Sequence, residues 1–176
     1  ASWFLPFNKG VNDGAGNPVN PNGLKTAYLW EDILQKSSLS DILENFAQVV
    51  KEKDEDTGKV KENVIWPRYH QLECTRALLA DTKVSESGRR YLVQHSAGSG
   101  KSNTITWTAK QLVDLKEADD ITPHFESVLV ITDRIVLDKQ IRDNLRSFIT
   151  KKDIVTWADD SEALKEALDN GKKVIV

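Results

Sequence analysis

Residues 90–102 read Arg90-Tyr91-Leu92-Val93-Gln94-His95-Ser96-Ala97-Gly98-Ser99-Gly100-Lys101-Ser102. Arg90 to Gln94 carries Tyr, Leu and Val in a row and predicts a strand. Lys101 to Lys116 predicts a helix. The segment between them is punctuated by Gly98 and Gly100, which let the backbone fold so tightly that successive N–H groups point into one concavity. The helix that follows aims its positive end at the same point. Lys101 adds a full charge that can reach β- and γ-phosphates, and the Ser102 hydroxyl can ligate Mg²⁺. Three kinds of donor thus converge on one polyphosphate. The reading predicts ATP and Mg²⁺ as cofactors, with contacts from Ala97, Gly98, Ser99, Gly100, Lys101, Ser102 and Asn103. Lys101 and Ser102 are the candidates for catalysis, and Ser102 is the candidate metal ligand. The pattern G-x-x-x-x-G-K-[ST] fails at one place, where His95 stands for the first Gly. A plain glycine turn would need neither Lys nor Ser at 101 and 102, so the bland reading explains less.

Outward from this loop the chain alternates strand and helix. Ser127 to Thr132 (SVLVIT) is a short apolar run of the kind that forms a parallel strand covered on both faces. Leu137, Ile141, Leu145 and Phe148 mark a helix. Ile154-Val155 predicts a strand. Asp160 is placed to cap a helix carrying Ala163, Leu164, Ala167 and Leu168, which Gly171 stops. Val174-Ile175-Val176 opens a further strand. Short joins between alternating elements predict an α/β fold with a parallel sheet flanked by helices.

The N-terminal third has another texture. Residues 6–26, PFNKGVNDGAGNPVNPNGLKT, predict a long irregular linker, with Gly10, Gly14, Gly16 and Gly23 able to take positive φ. Two short helices should follow. The first covers about Ala27 to Gln35. The second starts at Ser38, where Ser38-Leu39-Ser40-Asp41 resembles a capping box with Asp for Glu. Leu39, Ile42, Leu43 and Phe46 would share its apolar face. The charge run 51–62, KEKDEDTGKVKE, predicts a solvated helix end and turn, and a domain boundary. Pro67 then opens a helix from about Arg68 to Asp81.

Other polar residues leave alternatives open. Gln71 can both donate to and accept from an adenine ring, yet a lone helical Gln is ordinarily solvated. Thr132-Asp133-Arg134 ends a predicted parallel strand, where side chains line ligand crevices; Asp133 could equally cap the next helix. His70, His95 and His124 lack metal-ligand spacing, and the single cysteine, Cys74, cannot complete a zinc site. Cys74 reads as a buried helix residue rather than a reactive thiol.

The 176 residues suit one domain, or one plus part of another. The 39% hydrophobic and 29% charged composition is that of a soluble globular protein. A net charge of −3 gives nucleic-acid binding no support of its own. One cysteine excludes an internal disulfide and fits a cytoplasmic protein. No apolar run approaches the length of a membrane span. The absence of methionine and the close on Val174-Ile175-Val176 lead us to expect an excerpt of a longer chain.

Several stretches together resemble the R subunit of type I restriction enzymes: FLPFNKGVNDGAGNP, KTAYLWEDIL, SLSDILENF, PRYHQLE, YLVQHSAGSGKSNTITW, VLVITDRIVLDKQI and EALDNGKKVIV. The His-led loop QHSAGSGKS is usual in that family. The resemblance implies a superfamily 2 helicase-like motor that pumps duplex DNA with ATP and carries a nuclease. It implies a partial RecA-like P-loop NTPase domain at 61–176, preceded at 1–60 by the end of the nuclease domain and its linker. Gln71 would read adenine, residues 98–102 would hold phosphates, and Thr132, Asp133 and Arg134 would lie at the DNA-contacting edge. Double-stranded DNA and the methyltransferase and specificity subunits would be the partners, with no membrane involved. The nuclease carboxylates, the Asp-Glu box and the arginine of the second lobe would lie outside these residues, leaving the ATP site here incomplete. A helicase or remodelling ATPase without a nuclease would share the same loop.

Overall fold

Val174-Ile175-Val176 lies at the centre of a parallel sheet and is the most deeply buried run in it, at 0%, 2% and 9% exposure. An unbroken apolar triplet is what a strand covered on both faces requires. The computed structural model describes residues 7–11, 16–53, 58, 60–85, 88–133, 135–149 and 154–176. They form two compact units, Ala1–Glu73 and Cys74–Val176.

In the first unit the described residues 7–11 and 16–27 form no helix and no named strand; Gly10 and Gly16 take positive φ and Gly23 does not, and Gly14 falls outside the described residues. The first expected helix is a single wide turn, Leu29–Ile33, closed by a hydrogen bond from Leu34 N–H to the Leu29 carbonyl (2.7 Å). The second, α1 (Lys36–Asp41), begins before Ser38, and its N-cap Gln35 makes no side-chain cap. The expected capping box is therefore absent: Ser38 is already inside the helix. A second wide turn, Ile42–Phe46, continues α1, with Ala47 N–H bonded to the Ile42 carbonyl (2.8 Å). Hydrogen bonds spanning five residues add residues to the turn and shift the helical period. Ile42 and Phe46 are thereby fully buried, while Leu43 rotates out to 57% exposure instead of sharing their face.

The charge run after it is a hairpin, not a helix end. β1 (Gln48–Lys53) pairs antiparallel with β2 (Val60–Ile65). The register sets Lys51 opposite Glu62 and Glu52 opposite Lys61. A run of alternating charges fits a two-stranded ladder as well as a solvated helix, and the backbone pairing decides for the ladder. α2 (Tyr69–Val84) then starts two residues after the buried Pro67. It begins in the first unit and continues into the second.

In the second unit, α3 (Lys101–Asp114), β3 (Val128–Leu129), α4 (Ile135–Phe148), β4 (Val155–Thr156), α5 (Ser161–Asp169) and β5 (Val174–Ile175) follow in order. The sheet order is β3-β5-β4, all parallel. Bonds from Val130 N–H to Ile175 O and from Ala158 N–H to Val176 O (both 2.9 Å) extend the ladder beyond the named strands. Asp160 caps α5 as its sequence position predicts, accepting Ala163 N–H at 2.8 Å. Ala109, Ile141, Leu145, Ile149, Val174 and Val176 form the core between helices and sheet. Trp107, fully buried, stacks on Phe148 with ring centroids 5.8 Å apart. No described helix is long and apolar enough to cross a membrane.

Two strand expectations need correction. Residues 90–94 form no strand; Tyr91, Leu92 and Val93 are 43%, 95% and 43% exposed. Strand-favouring side chains become a strand only where a neighbour offers backbone groups to pair with. Here a cavity separates Val93 from β3, and side chains hold the segment instead. Tyr91 OH donates to Asp81 at 2.7 Å, and Arg89 Nε lies 3.2 Å from the same carboxylate. The β3 segment, in turn, is covered on one face: Val128 and Val130 pack against the core while Leu129 and Ile131 stay 43% and 89% exposed. Cys74 is half-buried rather than buried.

Candidate nucleotide-binding site

Residues 96–102 make a turn that enters α3 through Gly100, whose φ of 81° and ψ of 36° place it in the left-handed region. Gly98 has φ 72°. Both conformations suit glycine and penalise any residue with a Cβ. A Cβ built on Gly98 would meet nothing within 4 Å, so the space over the loop is open to a ligand. The loop is braced by Ser99 N–H on the Ser96 carbonyl (3.3 Å). Asn103 N–H and Thr104 N–H both bond back to the Gly100 carbonyl, at 3.0 and 3.3 Å. The Thr104 bond is the first regular bond of α3, the Asn103 bond uses one of the N–H groups a helix start leaves over, and those of Lys101 and Ser102 remain as terminal donors.

The Lys101 ammonium is exposed and curls over this turn, donating to the carbonyls of Ser96 (2.8 Å) and His95 (3.3 Å). Ser102 is 6% exposed and Ser99 7%. The Ser102 carbonyl accepts the Thr106 hydroxyl at 2.8 Å, which stiffens the first turn of α3. Among the described residues no group of three or more His, Cys, Asp or Glu could hold a metal. Mg²⁺ at this place would therefore depend on phosphate oxygens, water and the Ser102 hydroxyl, a donor set that suits that ion.

A cavity of about 430 Å³ opens beside the loop, lined by His95, Lys101, Thr104, Val128, Thr132 and Asp133 among others. Lys101 and the Thr132-Asp133 segment that follows β3 thus border one space. Thr132 and Asp133 also border a second crevice of about 480 Å³ beyond the carboxyl ends of the strands, with Arg142, Asp159, Asp160 and Ser161. Arg142 is ion-paired to Asp159 at 2.7 Å and lies over the Trp157 ring. Arg134 lies outside the described residues. Gln71 belongs to the first unit and is 2% exposed. Its Oε1 accepts Arg68 N–H at 2.8 Å, so the amide closes the start of α2 and is held in one orientation.

The family model of the SWI2/SNF2 ATPase matches residues 70–176, a span that contains Gln71, the whole loop and Thr132 to Arg134. The chain belongs to the SWI2/SNF2 ATPase family. No curated protein and no solved structure matches it. Membership makes the second unit part of a superfamily 2 helicase-like, RecA-like ATPase domain, and the glycine loop its P-loop. ATP binding and hydrolysis follow from that membership.

One contact here escaped the sequence reading. Asn144 Nδ2 donates to Asn103 Oδ1 at 2.9 Å, tying α4 to the first turn of α3. The signal was available. Asn144 sits three residues after Ile141 and four before Phe148, on the apolar face of its helix, where a polar residue needs a reason.

Proposed function

We propose that this chain is part of the R subunit of a type I restriction-modification enzyme, which uses ATP to translocate double-stranded DNA and couples that motion to endonucleolytic cleavage. The observation that carries the proposal is the His-led loop QHSAGSGKS within a SWI2/SNF2 ATPase match. The six further stretches quoted above support it, in the order that family has them.

In this reading the N–H groups at the start of α3 and the loop amides hold the β- and γ-phosphates. The Lys101 ammonium leaves the exposed Ser96 and His95 carbonyls and takes the phosphate charge instead. Ser102 ligates Mg²⁺, which neutralises charge developing on the phosphoryl oxygens. Ala97, Ser99 and Asn103 complete the loop's contacts, and Gln71 reads adenine through its amide. Thr132, Asp133 and Arg134 contact DNA. Methyltransferase and specificity subunits supply modification and site recognition, and the complex works in the cytoplasm.

The test is reconstitution of the full-length protein with its methyltransferase and specificity subunits on unmodified duplex DNA. ATP-dependent double-strand cleavage is the expected result. DNA-stimulated ATP hydrolysis with no cleavage would transfer the chain to the helicases or remodelling ATPases without a nuclease. Absence of nucleotide binding would remove the reading altogether.

A further inference from the structure

The P-loop helix is held to α4 by two contacts one helical turn apart. Asn103 meets Asn144 through the 2.9 Å amide bond, and Trp107 stacks on Phe148 at 5.8 Å with 23° between ring planes. Asn103 and Trp107 are four apart, as are Asn144 and Phe148, so one face of each helix meets the other with the chains running the same way. The two contacts differ in kind. The stacked rings and the core residues Ala109, Ile141 and Leu145 hold the helices together without a directional bond. An amide hydrogen bond is directional and loses most of its strength when misaligned. It is also the contact at the phosphate-binding end: Asn103 follows Lys101 and Ser102 directly, and its own N–H bonds the Gly100 carbonyl at 3.0 Å. α4, for its part, begins two residues after Asp133.

We propose that Asn144, acting through Asn103, is a positioning residue of the nucleotide site: it fixes the start of α3 against α4 and links the nucleotide loop to Thr132 and Asp133 in the segment between β3 and α4. The proposal rests on the ATPase reading above and deepens it. A shift of Lys101 and Ser102 on taking up the triphosphate carries Asn103 with it, and the amide pair passes that shift to α4.

The experiment uses the full-length protein with ATP and duplex DNA. Asn144→Leu keeps the side-chain size and removes the donor. It should raise the KM for ATP by about two- to tenfold, the range one lost neutral hydrogen bond spans, and reduce the stimulation of turnover by DNA. Asn144→Asp keeps the shape and leaves an acceptor that a turned Asn103 amide can donate to, so it should recover most of both. A purely structural role would lower the melting midpoint of both variants and leave KM and DNA stimulation of the folded protein unchanged; that result overturns the proposal. Lys101→Ala separates the two layers. If it retains ATP hydrolysis, the ATPase reading falls; if it is inactive while Asn144→Leu behaves as wild type, only the role of Asn144 falls.

Discussion

Lys101 Nζ lies 2.8 Å from the carbonyl oxygen of Ser96, five residues before it. A cation bound to the backbone of its own loop has two consequences. It compensates the carbonyl dipoles of a tight turn, and it stays within reach of any anion that enters. Because the side chain is exposed, the bond adds little stability: surface contacts of this kind sit within about 0.5 kcal/mol. Its worth is in charge placement. Lys101→Ala in the full-length protein should therefore cut DNA-stimulated ATP turnover by at least about 10²-fold, the scale of losing one preorganised charge-stabilising donor. Its melting midpoint should stay within about 2 °C of wild type. Turnover preserved at wild-type level would contradict the assignment.

Gly98 offers a test of backbone rather than charge. Its φ of 72° is unfavourable for an L side chain by about 1–2 kcal/mol, although a Cβ would meet no neighbour within 4 Å. The penalty of Gly98→Ala is thus conformational, not steric. An exposed loop relieves it by relaxing to negative φ, which turns the amides out of their common concavity. ATP affinity should fall by about 5- to 30-fold, the equilibrium factor that 1–2 kcal/mol represents, with the fold retained by circular dichroism. Unchanged affinity would mean that the loop amides do not hold the phosphates.

The site loop and most of the second unit could be read from sequence because local chemistry dictates them. Gly98, Gly100 and Asp160 act on their own backbone neighbourhood: both glycines take positive φ and Asp160 caps α5. Val174-Ile175-Val176 announced a strand covered on both faces by composition alone. What failed depended on partners far along the chain. Tyr91-Leu92-Val93 has strand-forming side chains but joins no strand among the described residues, and a run of alternating charges became β1 and β2 because the two segments pair along their backbones. Leu43 was misplaced because hydrogen bonding widens after Asp41, which no side-chain period reveals. Asn144 was missed for a similar reason: its partner is on another helix.

The cap on α5 can be tested for stability independently of function. Asp160 accepts Ala163 N–H at 2.8 Å and is the only side-chain bond at that helix start among the described residues. Asp160→Ala should destabilise the second unit by about 1 kcal/mol, lowering the melting midpoint by about 2–4 °C in a chain of this size. Asp160→Asn, which keeps the acceptor, should recover most of the loss. Equal midpoints for the Ala and Asn variants would show that the cap contributes nothing.

Tyr69 supplies a pH signature in the first unit. Burial, followed by the nearby Glu73 carboxylate and its 3.4 Å hydrogen bond, pushes the Tyr69 hydroxyl from 10.0 up to about 12. A raised folded-state value means that the neutral phenol is favoured by folding. Its contribution to stability is complete below pH 10, where the unfolded chain also keeps the proton, and is lost as pH rises from about 10 to about 12. Tyr28, packed edge-on against Tyr69 with centroids 5.5 Å apart, is raised by burial in the same direction. The tyrosinate absorbance difference between wild type and Tyr69→Phe, read immediately after a pH jump and before unfolding, should titrate near 12. In equilibrium unfolding, wild type should lose stability more steeply than the variant between about pH 10 and 12. A difference spectrum with its midpoint at 10 would place Tyr69 in free solvent and remove the aromatic packing argued for that unit.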